Sequence, residues 1–135
     1  MRILPLFALI ILFAACSGSN SAVSKQLSGS DSLVINFNKP NSNLIEKTMS
    51  TTEPKAVDKL ARFVDGKTGG SYQCGYDGNL MFYRQGKLLG DVSFNFSTEG
   101  CHHFMQMIEG ALTPTAMSNE TADFLKSMSE GKDWY

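Results

Sequence analysis

The sequence predicts an α+β fold, in which an antiparallel β-sheet carries two helices, at about 53–65 and 119–130, on one face. Three observations carry this reading. Apolar residues recur at helical spacing in two segments, Gly-containing turns punctuate a run of alternating apolar segments between 71 and 96, and further strand-like segments flank that run. A sheet made of hairpins has one apolar face, and helices are the usual cover for it.

The first ordered element expected is a strand at Leu33-Val34-Ile35-Asn36-Phe37, closed by the turn residues Asn38-Lys39-Pro40-Asn41, and a weaker strand follows at 43–49. Thr51 or Thr52 then offers an N-cap, with Glu53 and Pro54 in the first turn, and Val57, Leu60, Ala61 and Val64 repeat at helical spacing up to Gly66. Asp77-Gly78 and Gln85-Gly86 are hairpin signals, so the expected centre of the sheet is a meander of strands 71–76, 79–84 and 87–96. Two-residue turns set Cys74 opposite Met81, Met81 opposite Gly90 and Tyr83 opposite Leu88. Alternation then puts Tyr72, Cys74, Tyr76, Met81, Tyr83, Leu88, Val92, Phe94 and Phe96 on the core face. Leu80, Phe82 and Leu89 fall on the other face, where they either lie under a helix or form an exposed patch that marks a partner site. A fourth strand is expected at 102–108, extended by 112–117, before Ser118 caps the last helix and Gly131 stops it. Trp134-Tyr135 are large enough to dock on the body of the domain.

The amino terminus has a different texture. Arg2 is followed by the apolar run Ile3–Phe13 and the small pair Ala14-Ala15, the layout of a secretory signal. That run is too short for a bilayer span, which takes roughly 20 residues. Phe13-Ala14-Ala15-Cys16 resembles the lipobox of bacterial lipoproteins, with Phe13 in place of the usual Leu. The resemblance implies cleavage before Cys16, lipid on its sulfur and on the new amine, and a firm anchor, since two or three acyl chains hold where one does not. Ser17 is not the Asp associated with retention at the inner membrane, and no acidic cluster of the kind linked to surface export follows Cys16. The resemblance thus implies the outer membrane, on its periplasmic side. The segment from Cys74-Gly75-Tyr76-Asp77-Gly78 to Cys101 also looks like small lipoproteins of Bacteroidetes, which implies no activity.

The expected organisation is therefore a signal peptide over 1–15, a lipidated Cys and flexible tether over 16–30, and one globular domain over 31–135. Six serines and two glycines in residues 17–30 support the tether. Loss of Arg2 with the signal leaves 11 basic against 13 acidic residues, a formal −2 with no strong block of either sign. That balance argues against nucleic acid as a partner.

With Cys16 consumed by lipid, Cys74 and Cys101 remain in an oxidising compartment, where a disulfide is the default and contributes about 3 kcal/mol. A tight hairpin at Glu99-Gly100 would hold the two about 26 Å apart, so bridge and hairpin exclude each other. The bridge is favoured, with 97–101 folding back as a loop. His103, Met105 and Met107 share a strand face if 102–108 is extended, and imidazole and thioether donors suit Cu(I). Against that stands the simplest meander, which sets Met105 and Met107 opposite Phe94 and Val92 in the core, where Met is ordinary filling. The sequence holds no G-x-S-x-G or H-E-x-x-H motif and no zinc spacing, and Gly69-Gly70 lack the Lys and helix of a phosphate loop. The expectation is a non-catalytic envelope lipoprotein without a cofactor, anchored in a membrane and binding a protein or envelope component. A copper-binding or chaperone domain using His103, Met105 and Met107 is the alternative.

Overall fold

The computed structural model describes residues 21–132, so Cys16, the signal over 1–15 and Trp134-Tyr135 lie outside the described residues. The elements run α1 (Ala22–Leu27), β1 (Ser32–Asn38), β2 (Ile45–Thr51), α2 (Pro54–Val64), β3 (Gly78–Arg84), β4 (Lys87–Asn95), β5 (His103–Ile108), β6 (Ala111–Ala116) and α3 (Asn119–Ser129). The six strands form a single sheet in the order β2-β1-β3-β4-β5-β6, with every neighbouring pair antiparallel. This is the expected α+β fold, with a third helix added.

All three helices pack on one face. Leu33, Ile35, Leu80, Phe82, Val92, Phe94 and Phe104 from the sheet meet Val57, Leu60 and Val64 of α2 and Ala122, Leu125 and Met128 of α3 in one cluster. Each such Val, Leu or Phe contributes about 1.5–3 kcal/mol by leaving water. Phe63 and Phe124 join the helices edge to face at 5.5 Å, under the ammonium of Lys59. The cap of α3 is Ser118, as expected, and its hydroxyl accepts from the amide of Thr121. On α2 the cap position falls to Glu53 with Pro54 at the first turn, while the hydroxyl of Thr51 accepts from the Glu53 amide.

The sequence reading fails in four places. The flexible tether expected over 16–30 contains α1: Ser21 caps it, and Val23 and Leu27, four residues apart, are buried in the core. Ser21 also donates to the carboxylate of Asp65, which ties α1 to the end of α2. Second, residues 71–76 are not a strand, and β1 takes the place beside β3 that the meander gave them. Third, Asp77-Gly78 is no hairpin turn. Gly78 pairs with Phe37, and a Cβ there would lie 1.9 Å from the Asn36 carbonyl oxygen, so only glycine allows β1 and β3 to pair. Fourth, the β3–β4 register shifts after Tyr83↔Leu88, which pair as expected, so that Phe82 faces Gly90 and Met81 faces Asp91. This bulge adds Leu89 to β4 and reverses the parity of everything beyond it. Leu80 and Phe82 consequently lie in the core with Val92 and Phe94, while Met81 and Tyr83 turn to the opposite face.

The hairpins at Gln85-Gly86 and Glu109-Gly110 have positive φ at both central residues, between 49° and 79°, the geometry that matches strand twist. The second makes β6 a separate strand rather than a continuation of β5.

Candidate functional site

Among the described residues the helices leave one sheet face uncovered by secondary structure, and the chain between α2 and β3 folds over part of it. After α2, residues 67–69 run along the outer edge of β6: Ala116 N–H donates to Lys67 at 2.8 Å, and Gly69 N–H donates to Pro114 at 2.9 Å. The chain then turns across the open face, where the Cys74–Cys101 disulfide fastens it, with Cα atoms 6.2 Å apart. The side-chain amides of Asn95 and Asn38 donate to the Gly75 and Tyr76 carbonyls, at 2.7 and 3.3 Å. The bridge and the loop over 97–101 expected with it are thus present, and no tight hairpin joins β4 to β5.

The fastened loop delivers two tyrosines to His103. The Tyr72 ring stacks on the imidazole with centroids 3.9 Å apart and planes 7° apart, and Tyr76 lies at 5.6 Å and 53°. Gly69 makes room for this, since a Cβ there would lie 2.8 Å from the Tyr72 ring. His103 is fully buried, and its Nδ1 is 2.6 Å from the carbonyl of Cys101. A carbonyl only accepts, so Nδ1 carries a proton and donates it to this bond. Nε2 has no hydrogen-bond partner among the described residues.

Beside this stack a groove of about 760 Å³ runs along β4, β5 and β6, lined by Tyr72, Tyr76, Leu88, Asp91, Met105, Met107 and Leu112 among others. Its rim is apolar and open: Leu88 is 44% exposed, Met107 52% and Leu112 69%, and Met107 and Leu112 are direct cross-strand partners. Its floor is polar. The β4–β5 pairing stops at Ser93↔Met105, and beyond it the Gln26 carboxamide of α1 reaches between the strands, donating to the Leu89 and Met107 carbonyls at 3.2 Å each. Gln106 is buried at this split, with neither side-chain atom hydrogen-bonded among the described residues. A second cleft of about 320 Å³ lies between α1 and α2, beside Ser24, Asp58 and Arg62.

A polar row crosses the same face. The Thr48 hydroxyl donates to Asn36 at 2.8 Å, the Asn36 amide to Asn79 at 3.0 Å, and the Asn79 amide to the Asp91 carboxylate at 2.6 Å. The donors all point from β2 towards β4, and the row ends at the groove wall.

Of the residues singled out from sequence, Cys74 and Cys101 are joined, and His103, Met105 and Met107 alternate along β5 on the open face. Met105 pairs with Ser93 and Phe104 with Phe94, so the methionines are on the opposite side from the core that the simple meander assigned them. The patch of Leu80, Phe82 and Leu89 does not exist as a surface: the first two are fully buried, and Leu89 is half-buried at the bulge. Cys16 lies outside the described residues. Sequence reasoning missed Gln26 and Gln106, since an isolated Gln in an apolar segment carries no motif. It did pair Tyr72 with Tyr76, by an alternation that serves stacking rather than strand pairing.

No group of three His, Cys, Asp or Glu side chains suited to a metal ion occurs among the described residues. No helix among them is long and apolar enough to cross a membrane. Comparison with known proteins finds no matching family model, no matching curated protein and no matching solved structure.

Proposed function

We propose that this chain is a non-catalytic lipoprotein, anchored through Cys16 at the periplasmic side of the outer membrane, whose open sheet face binds a protein partner. The observation that carries the binding role is the exposed apolar rim formed by Leu88, Met107 and Leu112 on a sheet face that no helix among the described residues covers. Contiguous apolar surface of this kind is characteristic of interaction sites. The anchor rests on the lipobox-like Phe13-Ala14-Ala15-Cys16.

The start of α1 gives the anchor a geometric consequence. Ala22 is six residues from Cys16, a span of at most about 20 Å even when fully extended. The domain is then held against the bilayer surface rather than ranging through the periplasm, and its partner is a membrane protein or a component lying close to the membrane. The test of the anchor is metabolic labelling with radioactive palmitate. Wild type is expected to label and to sediment with membranes, whereas Cys16→Ser neither labels nor sediments. Equal labelling of the two proteins would refute it.

A further inference from the structure

We infer that α1 is a wedge that holds the groove open: the Gln26 carboxamide takes the place of a missing β4–β5 hydrogen bond, and release of α1 lets the two strands close. This gives the groove a regulator. It rests on the partner reading for its purpose, while its structural half is tested without a partner.

The first observation is the ladder. β4 and β5 pair at Asn95↔His103, Phe94↔Phe104 and Ser93↔Met105, and there the pairing ends. The same register carried further sets Val92 opposite Gln106, Asp91 opposite Met107 and Gly90 opposite Ile108, all within the two strands. In an antiparallel ladder every second residue turns its N–H and C=O to the same neighbour. The Met107 carbonyl points into the split, so Asp91↔Met107 is the hydrogen-bonded pair that is missing. The acceptor that the Asp91 N–H would use is occupied by Gln26 Nε2 at 3.2 Å, which also donates to the Leu89 carbonyl across the split.

The second observation is that α1 is poised between two sets of contacts. Docking buries Val23 and Leu27, and Leu27 sits on Gly90, where a Cβ would lie 2.7 Å from its side chain. Docking also leaves Gln106 buried with both carboxamide atoms unpartnered among the described residues, and keeps Asp91 and Met107 apart. Release returns Gln106 to water and frees the strands to pair. A helix of six residues does not persist without its packing, so α1 is either docked or unwound.

The third observation is the position of the groove across this split, with Asp91 and Ser93 of β4 on one side and Met105 and Met107 of β5 on the other. Pairing brings the Asp91 and Met107 Cα atoms to about 5.5 Å, with both side chains in the groove. The wedge lies next to the proposed anchor. While α1 is docked the domain stays within the short span from Cys16. Once it is released, sixteen residues separate Cys16 from Ser32, about 55 Å when extended. The groove is then open at the membrane and closed when the domain is drawn away from it, and by linkage a partner in the groove holds α1 docked.

The purified full chain in detergent is compared with Gln26→Ala and Leu27→Asp by amide hydrogen exchange and nuclear Overhauser contacts. Both variants are expected to slow exchange of the Asp91 and Met107 amides at least tenfold. They should also show an Hα–Hα contact between Gly90 and Ile108 that wild type lacks. A helix with a packing role alone gives the opposite, faster exchange when it is lost. Gln26→Ala keeps Val23 and Leu27, so it decides the question even where Leu27→Asp fails to fold. Unchanged or faster exchange at both amides in Gln26→Ala overturns the wedge. In cells, a photo-cross-linker at Met107 should give an adduct at least tenfold weaker when Leu27→Asp is added, and an adduct of equal strength overturns the regulation. Absence of an adduct without Leu27→Asp counts against the partner reading, and the exchange data still decide the wedge.

Discussion

Replacing both Cys74 and Cys101 by Ser separates the energetic role of the bridge from its role in building the site. The cysteines are 27 residues apart, and loop-closure entropy for that separation is about 3.5 kcal/mol at 25 °C. For a domain of this size that is a large share of a total near 5–15 kcal/mol. With a urea slope of about 1.5–2 kcal/mol/M, the midpoint of unfolding should fall by roughly 2 M. The loop is also held by the Asn95–Gly75 and Asn38–Tyr76 hydrogen bonds, but neither fixes Tyr72, whose ring shields His103. The double variant should therefore stay folded in buffer while the His103 ring becomes accessible to diethyl pyrocarbonate. Urea unfolding followed by far-UV circular dichroism gives the first quantity, and peptide mapping of the modified histidine gives the second. A loss of stability under about 1 kcal/mol, or a His103 still protected, would refute the view that the bridge both closes the chain and seats the tyrosines.

Two further predictions test the register. Phe82→Ala should cost about 3–5 kcal/mol, because its ring is fully buried under the helices, whereas Leu112→Ala should stay within about 0.5 kcal/mol. Equal, small effects in denaturant melts would return Phe82 to the surface. Gly78→Ala sets a methyl 1.9 Å from a backbone carbonyl that no side-chain rotation relieves and should cost about 3 kcal/mol, while Gly86→Ala, in an open turn with φ +76°, should cost about 1 kcal/mol. The reverse ranking of the two glycine variants in the same melts would contradict the β1–β3 pairing.

The helices were legible because their signals are local: a cap, Pro54 in a first turn, and apolar residues every three or four positions. The Gln85-Gly86 turn was legible for the same reason. What misled was non-local. The alternation of Tyr72, Cys74 and Tyr76 is the pattern of a strand, yet here a disulfide and a buried imidazole impose it. The one-residue bulge at Leu89 leaves no mark on the pattern but exchanges the two faces of β3, so Leu80 and Phe82 were assigned to the wrong side. In the Ser-rich stretch, Val23 and Leu27 are only two apolar residues, too few to signal a helix until the groove they fill is known. Gly90 is part of that groove: a Cβ there would lie 2.7 Å from Leu27. For the site, sequence found His103, Met105 and Met107 and their common face. The missing β4–β5 pairing, the Gln26 bridge and the buried Gln106 depend on where α1 docks.

The central claim is that the open face of β4 to β6 is the binding surface, and site-specific photo-cross-linking in intact cells tests it most directly. Benzoylphenylalanine is placed at Met107, at Leu112 and, on the exposed side of α2, at Lys55. Illumination is expected to give a discrete adduct from positions 107 and 112 and none from 55. An adduct from 55 alone, or no adduct from the two sheet positions, would contradict the claim.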